Sequence, residues 1–277
     1  MKTINCKGNL IDLSTPKVMG ILNLTPDSFY DGGIYTNTIS ILKKVENMLT
    51  EGAAFIDVGA YSSRPNATHI SEEEELKRLL PVLELILKSF PDILISVDTF
   101  RSNVAKKSIE IGACMINDIS AGEMDSEMFK TIAKLQVPYI LMHMKGTPQN
   151  MQQNPAYENV LNEVMYFFSE KLHQLRTLGV NDLLIDVGFG FGKTQEHNYQ
   201  LLQNLDYFKH LNLPILSGLS RKSMLYKPLN TIAKDALNAT SIANTVALLK
   251  GTSILRVHDV LQAVEAVKIF SLLNTKN

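Results

Sequence analysis

Short runs of branched apolar residues alternate along this chain with longer stretches whose apolar positions recur at helical spacing. The short runs fall near residues 17–23, 54–58, 93–97, 114–117, 138–142, 183–187, 214–217 and 253–257, and their length and composition predict strands. The amphipathic stretches near 38–51, 72–89, 101–111, 125–135, 156–178, 195–209, 235–250 and 259–273 predict helices between and after them. Local chemistry supports several boundaries. Ser71 followed by Glu74 matches a capping box, and Gly52, Gly112 and Gly179 stand where a left-handed C-cap belongs. Eight strand–helix alternations predict an α/β fold, a (β/α)8 TIM barrel, with a doubly wound open sheet as the competing architecture. Ahead of the first strand, "TINCKGNLIDL" predicts a short β-hairpin turning at Gly8-Asn9 and closing the barrel's lower end. With no linker or low-complexity stretch, residues 1–277 read as one domain.

Composition narrows the function classes. The chain is 45% hydrophobic and 20% charged with a formal net charge of -1. That balance gives no broad electrostatic footprint for nucleic acid. The two cysteines, Cys6 and Cys114, have no metal-type spacing, which suits a reduced, cytoplasmic protein. The N-terminus lacks the apolar stretch of a secretion signal, and no window reaches the roughly 20 apolar residues of a membrane span. No membrane partner is expected.

The stretch "LIDVGFGFGKT", residues 184–194, asks whether it cradles a nucleotide. A phosphate loop needs a glycine at the position that Val187 occupies. The dinucleotide fingerprint fails as well, because Gly188, Gly190 and Gly192 are evenly spaced and Lys193 follows. The loop instead belongs to a wider pattern. In a TIM barrel the ligand site lies at the C-terminal strand ends, where this chain places Asn23, Asp98, Asn117-Asp118, Met142-His143-Met144, Asp186, "SGLSRKS" and "RVHD". Any one of these serves equally well as a strand-end cap or turn former. Eight ends together point to one mouth.

The residue types describe a ligand. Asp98, Asn117 and Asp186 follow apolar runs, so they are expected to be partly buried and in need of partners. Inward carboxylates and an amide suit a flat heterocycle bearing N–H and amino donors. Lys222 supplies a donor for a carbonyl, while Phe191, Met142 and the Arg256 guanidinium can cover the faces. Arg256 and His258, two apart on a strand, face one side and suit a phosphate or diphosphate. His258 also reads as a neighbour of a helix N-cap with no ligand.

These residues lie in stretches that resemble the dihydropteroate synthase family, folate-pathway enzymes that join 4-aminobenzoate to a pterin. The stretches are "MGILNLTPDSFYDGG" (19–33), "SSRP" (62–65), "SVDT" (96–99), "INDI" (116–119), "LMHMKGTPQNMQ" (141–152), "DVGFGFGKT" (186–194), "GLSRKS" (218–223) and "RVHD" (256–259). They run in family order from the first strand to the last. The resemblance implies a pterin held by Asp98, Asn117, Asp186 and Lys222, with Arg256 stacked over the ring and Met142 and Phe191 lining the pocket. It implies Asn23 as a ligand of magnesium, the expected cofactor, which also grips the diphosphate. Arg256 and His258 would bind that leaving group, with Ser62 and Ser63 near by. Aminobenzoate would lie against Phe29, Ser63, Arg64, Pro65, Lys222 and Ser223, its carboxylate at the start of the following helix. Asp31 and Arg64 belong to loops that fold over the substrates.

The chain departs from the family in carrying Tyr61 for glutamate, Ser63 for threonine and Val187 for proline, changes that bear on loop contacts more than on chemistry. The implied catalytic set is Asp98, Asp186, Lys222, Arg256 and His258. The implied reaction replaces diphosphate on the pterin methylene with the arylamine nitrogen, by a dissociative, carbocation-like path. On this reading the three glycines let the loop pass close to the flat substrate, and Lys193 and Thr194 begin the sixth helix without contacting phosphate. The family also suggests a homodimer. The rivals are a pterin-binding methyltransferase on the same barrel, a homologue that binds pterin without turnover, and a phosphosugar barrel on fold alone.

Overall fold

The computed structural model describes residues 3–24, 33–62 and 69–273, the side chains of residues 33–37 excepted. The chain opens with β1 (Thr3–Cys6) and β2 (Asn9–Asp12), an antiparallel hairpin with Cys6 opposite Asn9. The turn is therefore Lys7-Gly8 and not Gly8-Asn9. Both residues have positive φ, 53° and 82°, the pair that a two-residue hairpin turn of matching twist requires.

Eight parallel strands then close a barrel: β3 (Lys17–Asn23), β4 (Phe55–Gly59), β5 (Ile95–Asp98), β6 (Met115–Asp118), β7 (Tyr139–Met142), β8 (Leu183–Asp186), β9 (Ile215–Ser217) and β10 (Ile254–Val257), with β10 pairing back onto β3. The helices are α1 (Gly33–Thr50), α2 (Glu72–Ser89), α3 (Ser102–Ile111), α4 (Met128–Leu135), α5 (Val160–Thr177), α6 (Gln195–Gln203), the four-residue α7 (Ser223–Tyr226), α8 (Leu237–Leu249) and α9 (Val260–Leu273). Ser71 caps α2 as the sequence predicts, its hydroxyl accepting from Glu74 N at 3.2 Å. The reciprocal bond of a full capping box gives way to an ion pair, because Glu74 turns outward to Arg78 at 2.7 Å. The sixth helix starts at Gln195 with Thr194 as its N-cap, so Lys193 stands outside it.

Strand alternation sorts the barrel interior into layers. Ile4, Cys6 and Leu13 of the hairpin segment pack with Met19, Phe55, Met115, Ile140, Leu184, Leu216 and Ile254, the inward residues at the lower strand ends. The hairpin is thus the floor of the barrel, as expected. Two residues further along each strand the same face carries Asp57, Asn117, Met142, Asp186, Gly218 and Arg256. The polar site sits directly above an apolar plug.

Candidate active site

Asp57 organises one half of the barrel mouth. It is fully buried, and its Oδ2 accepts from Arg256 Nε at 2.6 Å and from Asn117 Nδ2 at 3.0 Å. The other Arg256 arm, Nη2, donates to Asp98 Oδ2 at 2.7 Å. Asp98 and Asn117 are direct partners across β5 and β6. Burial pushes the Asp98 pKa up to about 7; Arg256 opposes that and the Asp57 charge adds to it. Burial also works against the Arg256 charge, but Asp57 and Asp98 outweigh it and hold the guanidinium protonated. Arg256 therefore rests in a clamp of two carboxylates. Asp57 is a residue that reading the strand ends missed. The signal was an acid inside the apolar run FIDVG, every residue of which is buried.

Asp186 and Lys222 organise the other half. Asp186 is the strand partner of Met142, and its Oδ1 accepts from Gly188 N at 2.8 Å. Burial raises its pKa, while the Lys222 charge is the largest effect in the opposite sense. Gly218 separates the two side chains: a Cβ placed there would lie 3.8 Å from Asp186 Oδ2 and 3.7 Å from Lys222 Nζ. Lys222 Nζ donates to the Phe189 carbonyl and lies 4.8 Å from the Phe191 ring centre. Burial lowers its pKa to about 8, against the pull of Asp186. Met142 is buried in a cluster with Tyr61, Phe100, Ile119, Met144 and Met151, against which Phe191 packs. Asp98, Asn117, Asp186 and Lys222 thus gather at one mouth, as the sequence predicts.

Other expectations need correction. His258 lies one residue beyond the end of β10, so strand alternation does not set its direction. It is exposed, and its Nδ1 pairs with Ser220 Oγ at 3.0 Å. Partial burial of the ring edge that faces Ser220, and after it the Arg256 charge, lowers its pKa. Ser223 begins a helix of only four residues and is exposed, so little macrodipole stands behind it. Asp118 points away from the mouth: it is buried, accepting from Tyr139 OH at 2.6 Å and from Ser120 N at 2.8 Å. Asn23 and Ser62 sit half-buried on the rim after β3 and β4. Phe29, Asp31, Ser63, Arg64 and Pro65 lie outside the described residues.

The glycine loop has a physical reason beyond the one the sequence suggests. Gly188 and Gly192 have φ of +69° and +61°. A Cβ at Gly188 would collide with the His143 carbonyl oxygen, and one at Gly192 with the Lys145 carbonyl oxygen. These two glycines admit the loop after β7, while a Cβ at Gly190 would meet only the side chain of Lys222, at 3.4 Å. The departures from the family pattern are built in: Val187 is buried in the main core, and Tyr61 OH pairs with His69 Nδ1 at 3.2 Å and accepts from Gln149 Nε2 at 2.9 Å.

Residues 19–258 match the family described as pterin binding enzyme. The dihydropteroate synthase of Haemophilus influenzae is 43% identical over 262 residues, which cover 94% of this chain and 94% of that protein. Among solved structures, the Yersinia pestis dihydropteroate synthase in a sulfonamide drug complex superposes with a TM-score of 0.92 at 41% identity, covering 99% of this chain and 100% of that one. The Xanthomonas albilineans dihydropteroate synthase with 4-aminobenzoic acid gives a TM-score of 0.92 at 36% identity, covering 99% of each chain.

Proposed function

The chain belongs to the pterin-binding enzyme family and, within it, to the dihydropteroate synthases, and from that premise we propose how its residues perform the condensation of 4-aminobenzoate with 6-hydroxymethyl-7,8-dihydropterin diphosphate. Asp98, Asn117 and Asp186 take the donor edge of the pterin, and Lys222 takes its carbonyl. The single observation that supports this best is the gathering of four polar side chains above an apolar plug, Asn117 and Asp186 buried and Asp98 and Lys222 half-buried, with Asp57 Oδ1 left as an acceptor without a partner among the described residues. Met142 and Phe191 flank the ring.

In the reaction the bond between the pterin methylene and the diphosphate oxygen breaks, and its electron pair leaves with diphosphate. The arylamine nitrogen forms the new bond to carbon and loses a proton to solvent. The carboxylates of Asp57, Asp98 and Asp186 stabilise the positive charge that develops on the methylene. Arg256 swings from its carboxylate clamp to cover the pterin and meet the diphosphate, which His258 joins at the rim. Ser62 and Ser63 assist there, while Phe29, Arg64, Pro65 and Ser223 line the aminobenzoate side and Asp31 and Arg64 close over it.

Among the described residues no group of three His, Cys, Asp or Glu side chains could hold a metal; Asn23, on the rim after β3, would offer a magnesium ion an oxygen donor. Bound there, it neutralises leaving-group charge.

The enzyme further reads as a cytoplasmic homodimer. Among the described residues no helix is long and apolar enough to cross a membrane, and both cysteines are free. Support for the dimer is a groove of about 660 Å³ lined by Leu202, Leu225, Leu229, Ala239, Ile242 and Val246.

Diphosphate release from the pterin substrate, with and without 4-aminobenzoate and magnesium, tests the reading. Release that depends on all three is expected; methyl transfer to a corrinoid in place of it would redirect the assignment to the methyltransferases.

A further inference from the structure

Lys193 has no part in the chemistry above, yet it is 3% exposed and carries a buried amine with no carboxylate in contact among the described residues. Its Nζ meets three acceptors: His143 Nδ1 at 2.9 Å, the His143 carbonyl at 3.1 Å and the Phe191 carbonyl at 3.0 Å. Nζ thus has three hydrogen-bond partners, as a buried polar group requires, and burial lowers its pKa well below the ordinary lysine value, toward the neutral amine. The Nζ–Nδ1 contact is one N–H···N bond between the lysine amine and the His143 ring. Burial, above all, lowers the His143 pKa and holds that imidazole neutral.

The tripod joins two loops. His143 follows β7, and its backbone N–H donates to the Asp186 carbonyl at 3.0 Å. Phe191 lies on the glycine loop after β8. Two further ties run between the same loops: Gln152 Nε2 to the Gly190 carbonyl at 2.5 Å and Tyr157 OH to the Gly192 carbonyl at 2.7 Å. Gly188 and Gly192 are the positions where the loops touch.

We propose that Lys193 is a positioning residue, which locks the loop after β7 to the glycine loop and so sets Phe191 and Asp186 for the pterin. Gln152 and Tyr157 complete the lock from the solvent side. This assignment rests on the pterin pocket proposed above and explains the lysine of "GKT" without a nucleotide. A lock of this kind acts on the pterin more than on the aminobenzoate, because it holds Asp186 and Phe191 directly and reaches Lys222, which borders both substrates, only through the Phe191 ring and the Phe189 carbonyl.

The test compares Lys193→Met, Gln152→Ala and Tyr157→Phe with the parent enzyme. It reads pterin diphosphate affinity by calorimetry, the aminobenzoate KM at saturating pterin, and thermal unfolding. Lys193→Met is expected to weaken pterin affinity at least about tenfold while the aminobenzoate KM stays within about twofold. Gln152→Ala and Tyr157→Phe should shift affinity the same way by a few-fold and remain folded. A folded Lys193→Met enzyme with parental pterin affinity overturns the proposal, as does an equal change in both substrates' constants. Should Lys193→Met not fold, unchanged pterin affinity in both other variants overturns it. Asp186→Asn serves as the reference: if that change leaves pterin affinity intact, the pocket assignment itself fails, whereas a loss confined to Asp186→Asn sinks only the lock.

Discussion

Asp57 and Arg256 meet at 2.6 Å across 199 positions of sequence, an ion pair between the fourth and tenth strands with no exposed carboxylate surface on the Asp57 side. The same Asp57 oxygen holds Asn117, so one carboxylate orients both the cation and the amide of the mouth. Asp57→Ala leaves Arg256 with Asp98 alone and frees the Asn117 amide. Removing one partner of a buried pair costs about 3 kcal/mol, and the pterin pocket loses its geometry with it. Denaturant unfolding and pterin calorimetry on the variant check both effects. A parental midpoint would show that Asp57 is not the hub.

Two titrating groups of the pocket, Asp98 and Lys222, bound the pH response expected of pterin binding. Asp98 accepts as a carboxylate, and it gains a proton as pH falls through about 7, so affinity falls on the acid side. Lys222 donates best as an ammonium, and it loses its proton as pH rises through about 8, so affinity falls on the alkaline side. A bell with its maximum between those values is expected. Asp98→Asn should remove the acid limb and Lys222→Met the alkaline one, each at reduced affinity. Calorimetry from about pH 6 to about pH 9 that returns a flat line for the parent enzyme would contradict the assignment.

Gly188→Ala adds a methyl group against the His143 carbonyl at a positive φ. Strain and collision together should cost more than about 2 kcal/mol. Pterin affinity should fall with it, since the loop carrying Phe191 must retreat. Unfolding midpoints and pterin affinity of Gly188→Ala, set beside those of Gly8→Ala, separate collision from conformation. At Gly8 φ is also positive, at 82°, but an added Cβ meets nothing within 4 Å. Equal losses at the two sites would count against the packing argument.

Ile242 lies exposed on α8 at the apolar groove. Placing a charge there, as Ile242→Glu, should leave the fold intact and shift a dimer toward monomer at least about tenfold in Kd, since a desolvated unpaired charge is costly at an interface. Sedimentation velocity across a concentration series measures it. A variant that sediments as the parent does removes this face from the interface.

Much of this was legible in one dimension. The alternation of apolar runs, the Ser71 cap and the polar residue at each strand end depend on local chemistry and on strand periodicity, so a barrel with a polar mouth could be read from residue order. Sequence determined which groups stand at the mouth, because Asp98, Asn117, Asp186, Lys222 and Arg256 all lie at or close to a strand's end. Tertiary structure alone decided how those groups are paired. Asp57 looked like one more residue of an apolar strand until closure of the barrel brought Arg256 and Asn117 to it. Lys193 looked like the start of a helix, and the two glycines looked like clearance for a substrate. Each is governed by a backbone or side chain from another loop, and such contacts form only when distant strands lie side by side. Periodicity gives the direction of a side chain along its own strand; the partner it finds there is set by the neighbouring strand, whose identity no local pattern encodes.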